Sequence, residues 1–276
     1  MGDVDAPEDF RSGFVCFVGR PNTGKSTLTN ALVGDKVAIT SSRPQTTRHA
    51  IRGVVHRPAS QVVVIDTPGL HRPRTLLGQR LNDLVRDTWS EVDVIGFCTP
   101  ADSQVGRGDR FVAESLATLA RTPVMAVVTK TDLVSPDRLA QHLASVASLG
   151  ADVGLDWAEV VPVSAVRGDG LDLLHRLVVQ RLPEGPAFYP DGDLTDEPEE
   201  TLVAELIREA ALEDLHDELP HSLAVVVDEM GPRDARPSER AVMDVRAAGD
   251  GERRSHQPSV GGRRGARVLR GLLGAC

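Results

Sequence analysis

Apolar residues fall along this chain in short, unbroken runs. GFVCFVG (13–19), QVVVID (61–66), VDVIGFC (92–98), PVMAVVT (123–129) and AEVVPVS (158–164) are the main ones. Continuous β-branched runs of this length predict strands buried on both faces. Between them lie stretches with helical spacing. KSTLTNALVG (25–34), Leu76 to Trp89 and LDLLHRLVVQRL (171–182) are the clearest, and in the second Leu77, Leu81, Leu84, Val85 and Thr88 share one side. Strands alternating with helices predict an α/β domain over residues 10–183, a mostly parallel sheet with helices on both faces. That span is long enough for a sizeable core.

The pattern then changes. Residues 184–218 hold 13 acidic side chains and one Arg, with Pro186, Pro190 and Pro198. Residues 184–200 read as an acidic linker. The second domain, 201–276, then opens with a helix, LVAELIREAALEDL (202–215), and a strand, SLAVVVDEM (222–230). After Met230 the pattern thins. Residues 231–276 contain seven Leu, Ile, Val or Phe, a share below the ~20% at which a packed core becomes doubtful. Poor order is expected there.

Composition narrows the class. The chain has 276 residues, 41% hydrophobic and 26% charged, as in ordinary globular proteins. No apolar run approaches the ~18 residues of a transmembrane helix. The acidic start, MGDVDAPEDF, has no apolar segment of the secretory kind. Cys16, Cys98 and Cys276 lie far apart, without metal-ligand spacing, so a cytoplasmic protein is expected. The net charge of −9 hides an asymmetry, because residues 231–276 carry 10 basic and 5 acidic side chains. Any nucleic-acid contact would lie at that basic end. Lysine occurs only at Lys25, Lys36 and Lys130. Where Arg has displaced almost every Lys, the survivors mark places that Arg cannot fill.

Two of those lysines sit in motifs. GRPNTGKS (19–26) fits G-x-x-x-x-G-K-S between a predicted strand and a predicted helix. Gly19 and Gly24 let the backbone of Arg20, Pro21, Asn22 and Thr23 wrap closely around phosphate. The amides from Asn22 to Ser26, with Thr27 behind them, face the anion at a helix N-terminus. Lys25 reaches the β- and γ-phosphates and the Ser26 hydroxyl ligates Mg²⁺. In DTPG, Asp66 ends an apolar strand, where it can hold Mg²⁺ through water. Thr67 and Pro68 lead to Gly69, whose N–H can meet a γ-phosphate and swing when that phosphate leaves.

TKTD (129–132) also follows a strand. Asp132 can accept hydrogen bonds from N1 and the exocyclic N2 of guanine, a donor pair that adenine lacks. The Lys130 stem can cover the base face, next to Thr131. Thr129 stands where the usual N-K-x-D has Asn, so a weaker tether to the phosphate loop is expected. In VSA (163–165), beside Ser164, the Ala165 N–H can meet guanine O6. Four such elements, each at a strand end, make a guanine-nucleotide switch domain.

In these motifs the chain resembles the Era family of GTPases, within the TrmE–Era group. GRPNTGKSTLTNALVG, TSSRPQTTRHAIRG, DTPGLHRP, TKTD and VPVSAVRGDGLDLL carry the resemblance. ELIREAALEDLHDELPHSLAVVV looks like the entry to that family's RNA-binding KH domain. The resemblance implies hydrolysis of GTP to GDP and phosphate, with catalytic roles for Lys25, Thr47 and Gly69. It assigns QTTRH (45–49) to the first switch, with Thr47, or alternatively Thr46, completing the Mg²⁺ shell of Ser26 and Asp66. It implies K⁺ activation at Asn22. It also implies 16S rRNA and the 30S subunit as partners, a monomer, and a cytoplasmic location that allows peripheral association with the inner face of the membrane.

Two departures stand out. Leu70 occupies the position where Ras-like enzymes carry a water-orienting Gln, so a slow intrinsic rate is expected. The G-x-x-G loop of a KH domain holds four nucleotides. Gly262-Arg263-Arg264-Gly265 has that spacing, but RAAGDGERRSHQPSV (246–260) before it lacks strand alternation. A degenerate or truncated KH-like α+β region is expected. The alternative function is therefore a GTP-binding module uncoupled from RNA.

Overall fold

In the computed structural model, residues 9–40, 51–70, 85, 88–89, 91–119, 122–214, 223–227 and 243–247 are described. The chain divides into two compact units, Met1–Leu202 and Val203–Cys276. In the first, six strands form one sheet in the order β2-β3-β1-β4-β5-β6. They are β1 (Arg11–Val18), β2 (Ile51–Arg57), β3 (Ser60–Asp66), β4 (Val94–Pro100), β5 (Val124–Thr129) and β6 (Glu159–Pro162). Only β2 runs antiparallel, paired along its length with β3. The helices are α1 (Lys25–Val33), α2 (Arg107–Leu116), α3 (Pro136–Val153) and α4 (Leu171–Val179). Of the helix read at 76–89, Val85, Thr88 and Trp89 are described and are helical.

The central strands are largely apolar because both faces are covered. Val15 and Phe17 of β1 pack with Leu28 of α1 and Leu174 and Val178 of α4. Their neighbours Cys16 and Val18 point the other way, into a cluster with Trp89, Val112, Leu116 and Leu149. β1 pairs in parallel with β3 on one side and β4 on the other. The chain order therefore reverses at β1. In open parallel sheets ligands bind beyond the carboxyl ends of the strands at such a switch point. β1, β3, β5 and β6 all end on that side.

Residues 184–197, read above as a linker, bind along the sheet. Gln61 precedes the valine run of β3 and is only 1% exposed. Its carbonyl oxygen accepts from the N–H of Phe188 (2.6 Å) and of Tyr189 (3.0 Å), and its amide donates to the Tyr189 carbonyl (2.8 Å). Farther on, Val54 N–H donates to the Leu194 carbonyl at 2.8 Å, and Arg52 pairs with Asp196 at 2.9 Å. The segment thus covers the outer edge of β2, which would otherwise present unpaired backbone groups.

In the second unit, α5 (Glu199–Asp214) enters from the first, and β7 (Leu223–Val227) pairs antiparallel with β8 (Met243–Ala247). The helix and first strand were expected. β8 was not, although Met243, Val245 and Ala247 alternate with Asp244 and Arg246 in the strand period. The G-x-x-G at 262–265 lies outside the described residues.

Candidate functional site: four loops at the carboxyl edge of the sheet

The turn after β1 wraps tightly because its backbone is unusual. Asn22 (φ 64°) and Gly24 (φ 86°) both lie in the left-handed region, and α1 begins at the next residue, Lys25. This curvature is what an anion-binding nest at a helix N-terminus requires. Thr23 is buried and its hydroxyl donates to the Arg20 carbonyl at 3.1 Å. The Lys25 side chain folds back into the turn and is 7% exposed. Its Nζ donates to the carbonyls of Arg20 (3.3 Å) and Gly19 (3.5 Å). Burial pulls its pKa below the ordinary lysine value, and Asp66 partly offsets this. A phosphate at the same helix end would favour the charged form.

Asp66 ends β3 and is fully buried. The Ser26 hydroxyl donates to its Oδ2 at 2.7 Å. One hydroxyl and one carboxylate oxygen, both hard donors at a phosphate nest, fit Mg²⁺ chemistry. Thr67 is pinned by its hydroxyl to the Phe17 carbonyl at 3.1 Å. Beyond Pro68, Gly69 lies against the phosphate loop so closely that a Cβ there would stand 2.8 Å from Pro21 N. Leu70 N–H donates to the Gly19 carbonyl at 3.0 Å. Its side chain is fully buried in the core beside Val85 and Trp89, so it cannot take the place of a water-orienting Gln.

The guanine-reading loops are joined to the phosphate loop through Thr129. Its hydroxyl donates to the Thr23 carbonyl at 2.6 Å, with both residues buried. Thr in place of Asn thus still ties this loop to the phosphate loop. The Thr129 side chain packs directly against Gly24, where a Cβ would be in ordinary contact with it at 3.7 Å. Lys130 takes a left-handed turn (φ 56°) and its Nζ pairs with Asp102 at 3.3 Å. Thr131 N–H donates to the Val163 carbonyl at 3.3 Å, joining the loops after β5 and β6. Ser164, fully buried, donates its hydroxyl to Asp132 Oδ1 at 2.6 Å and so aims that carboxylate. Ala165 follows at once.

Thus the loops carrying Gly19–Thr27, Asp66–Gly69, Thr129–Asp132 and Ser164–Ala165 come together at one edge. Arg20 contributes its backbone there, while its guanidinium binds Asp109. Thr46 and Thr47 lie outside the described residues. Cys98 lies beneath the phosphate loop, and burial pushes its thiol up to about 12. Burial raises the Cys16 thiol as well. Neither is a nucleophile. Sequence reasoning missed Asp102, Asp109 and the coupling role of Ser164. Asp102 lies in a polar loop and Asp109 in the first turn of α2, neither within a motif.

The strand-end site on a doubly covered parallel sheet defines a P-loop GTPase. A family model described as "50S ribosome-binding GTPase" matches residues 14–130. GTPase Era of Streptomyces coelicolor is 61% identical over 258 residues, covering 94% of this chain and 81% of that protein. GTPase Era of a Mycobacterium species (strain KMS) is 63% identical over 261 residues, covering 94% and 85%. The chain belongs to the Era family of GTPases, and its activity is hydrolysis of GTP to GDP and phosphate. Among solved structures, Era in complex with MgGDPNP and nucleotides 1506–1542 of 16S ribosomal RNA is 30% identical, with a TM-score of 0.79, covering 96% of this chain and 90% of that one. A point variant of Aquifex aeolicus Era bound to GDP·AlF4⁻ is 29% identical with the same TM-score and coverage. No helix among the described residues is long and apolar enough to cross a membrane.

Proposed function

We propose that this protein is a cytoplasmic GTP-driven switch that acts in 16S rRNA processing and assembly of the small ribosomal subunit. The observation that carries the reading is the Thr129–Thr23 and Ser164–Asp132 pair of hydrogen bonds, which join guanine-reading and phosphate-holding loops into one site. The likeness to an Era structure bound to 16S rRNA supports the RNA partner.

In this reading the amides of residues 22–26 cradle the phosphates and the Lys25 ammonium neutralises the β- and γ-oxygens. Ser26, Asp66 and the Thr at 47 (or 46) hold Mg²⁺, which supplies charge neutralisation on the triphosphate. Asp132 selects guanine through N1 and N2, Ala165 N–H meets O6, and the Lys130 stem covers the base. Gly69 N–H meets the γ-phosphate, so cleavage frees the loop against Pro21 and changes its contact. Leu70 leaves the attacking water to be ordered by backbone groups, and the intrinsic rate is slow. Asn22 is the residue that would face an activating K⁺. Equal rates in NaCl and KCl would remove that role.

Residues 10–183 form the switch domain, 184–200 the connecting segment, and 201–276 a KH-like region whose Arg263, Arg264 and Arg267 meet RNA phosphates. The test is binding of an oligonucleotide spanning 16S nucleotides 1506–1542, with a non-hydrolysable GTP analogue and with GDP, over a salt series. Tighter, salt-sensitive binding in one nucleotide state is expected. Absence of binding in both states would overturn the ribosomal role and leave a GTPase uncoupled from RNA.

A further inference from the structure

Asp109 lies on α2, outside every nucleotide motif, and is a charged side chain only 1% exposed. Such a carboxylate is retained only where its partners satisfy it. Its partners are the phosphate loop and its own helix. The Arg20 Nε lies 3.0 Å from Oδ1 and 3.2 Å from Oδ2, and the second arm of the guanidinium donates to Ser103 Oγ. Gly106 N–H donates to Oδ2 at 2.9 Å. Gly108 packs against the Arg20 stem, where a Cβ would lie 3.4 Å from Arg20 Cδ.

We propose that Asp109 is a positioning residue for GTP binding, acting through Arg20 on Lys25. The path is short. The Arg20 side chain is fixed by Asp109 and Ser103. The carbonyl of the same residue receives Lys25 Nζ at 3.3 Å and the Thr23 hydroxyl at 3.1 Å. Holding one end of Arg20 therefore fixes the acceptor that orients the phosphate-binding ammonium. Asp102, on the loop between Asp109 and β4, pairs with Lys130 at 3.3 Å, and Arg138 donates to the Asp102 carbonyl at 3.3 Å. Residues 102–109 thus brace both the phosphate loop and the guanine loop from the same side, like a splint.

A plain helix cap is the competing role, because Asp109 also accepts from Gly106. Arg20 takes no part in that cap, and a double-mutant cycle separates the two. Asp109→Asn, Arg20→Ala and the double variant are compared for kcat, KM, affinity for GDP and for a non-hydrolysable GTP analogue, and thermal unfolding. Each single change is expected to raise KM and weaken both nucleotides about tenfold, the scale of one charge-assisted hydrogen bond. kcat should change less than about twofold, because Lys25 meets phosphate in the ground state as well. With Arg20→Ala already present, Asp109→Asn should weaken nucleotide no further. A lower melting temperature with unchanged KM, or fully additive losses in the double variant, would overturn the proposal. The inference rests on Lys25 binding phosphate. Lys25→Ala in the same titration tests that reading separately, by full retention of affinity.

Discussion

Replacing Thr129 with Val tests the joint between the two halves of the nucleotide site. Val keeps the shape of Thr and exchanges the hydroxyl for a methyl. The structure places that hydroxyl 2.6 Å from the Thr23 carbonyl, with Thr129 4% and Thr23 0% exposed. Water therefore cannot replace the lost donor easily. A neutral hydrogen bond contributes about 0.5–1.5 kcal/mol net, and leaving a buried acceptor poorly satisfied costs about 1–3 kcal/mol. A loss of about 1–2 kcal/mol in the order of the phosphate loop is expected. If expressed in binding, it weakens nucleotide by a factor of about 5–30. The tether lies behind the loop, so GDP and a GTP analogue should lose affinity equally. Thr129→Ser, which keeps the donor, should bind within about fourfold of the parent, since only a buried methyl is lost. Equilibrium titration with fluorescent nucleotides measures both. If Thr129→Val binds both nucleotides as tightly as the parent, the hydroxyl is not what joins the loops.

Three further outcomes are expected. Gly69→Ala drives a Cβ to 2.8 Å from Pro21 N, which is backbone and cannot rotate away. Overpacking of this kind costs about 1–3 kcal/mol, so steady-state hydrolysis should fall by about 5- to 150-fold. An unchanged kcat would refute the close approach. Gln61→Leu strips the acceptor from Phe188 N–H and Tyr189 N–H. Urea unfolding should show a loss of about 2–4 kcal/mol, and protease cleavage in 184–197 should rise. His175 has a buried Nε2 without a partner among the described residues, and burial, with Arg57 nearby, holds its pKa below the ordinary 6.5. The native state therefore binds fewer protons than the unfolded chain between that lowered value and 6.5, and stability falls as pH drops through this window. His175→Leu should flatten that part of the stability–pH curve.

The parts legible in sequence were those where chemistry dictates both residue and spacing. A phosphate nest needs Gly24 and Lys25 at a strand-to-helix turn, and a guanine edge needs a carboxylate where Asp132 stands. The buried strands were legible because both their faces are apolar. β2 was not, since Arg52, Gly53, His56 and Arg57 break the apolar run of IRGVVHR. Its strand conformation comes from pairing with β3 on one side and residues 194–195 on the other. β8 was obscured by the low apolar content around it. The attachment of 184–197 depends on long-range partners, and its one local sign was Gln61 among valines. Asp109 gave no sign, because nothing in the helix sequence RGDRFVAESL shows that this carboxylate will be buried against Arg20.

The central claim is that four strand-end loops form one site whose base specificity resides in Asp132. The most direct measurement is the affinity of the parent and of Asp132→Asn for GTP, ATP and xanthosine triphosphate. Xanthine presents an oxygen where guanine has N2, so the amide should read it and the carboxylate should not. The account predicts that the parent prefers GTP over ATP by at least about a thousandfold, on the scale of lost buried hydrogen bonds. Asp132→Asn should lose GTP and gain xanthosine triphosphate. Retention of tight, selective GTP binding by Asp132→Asn would contradict it.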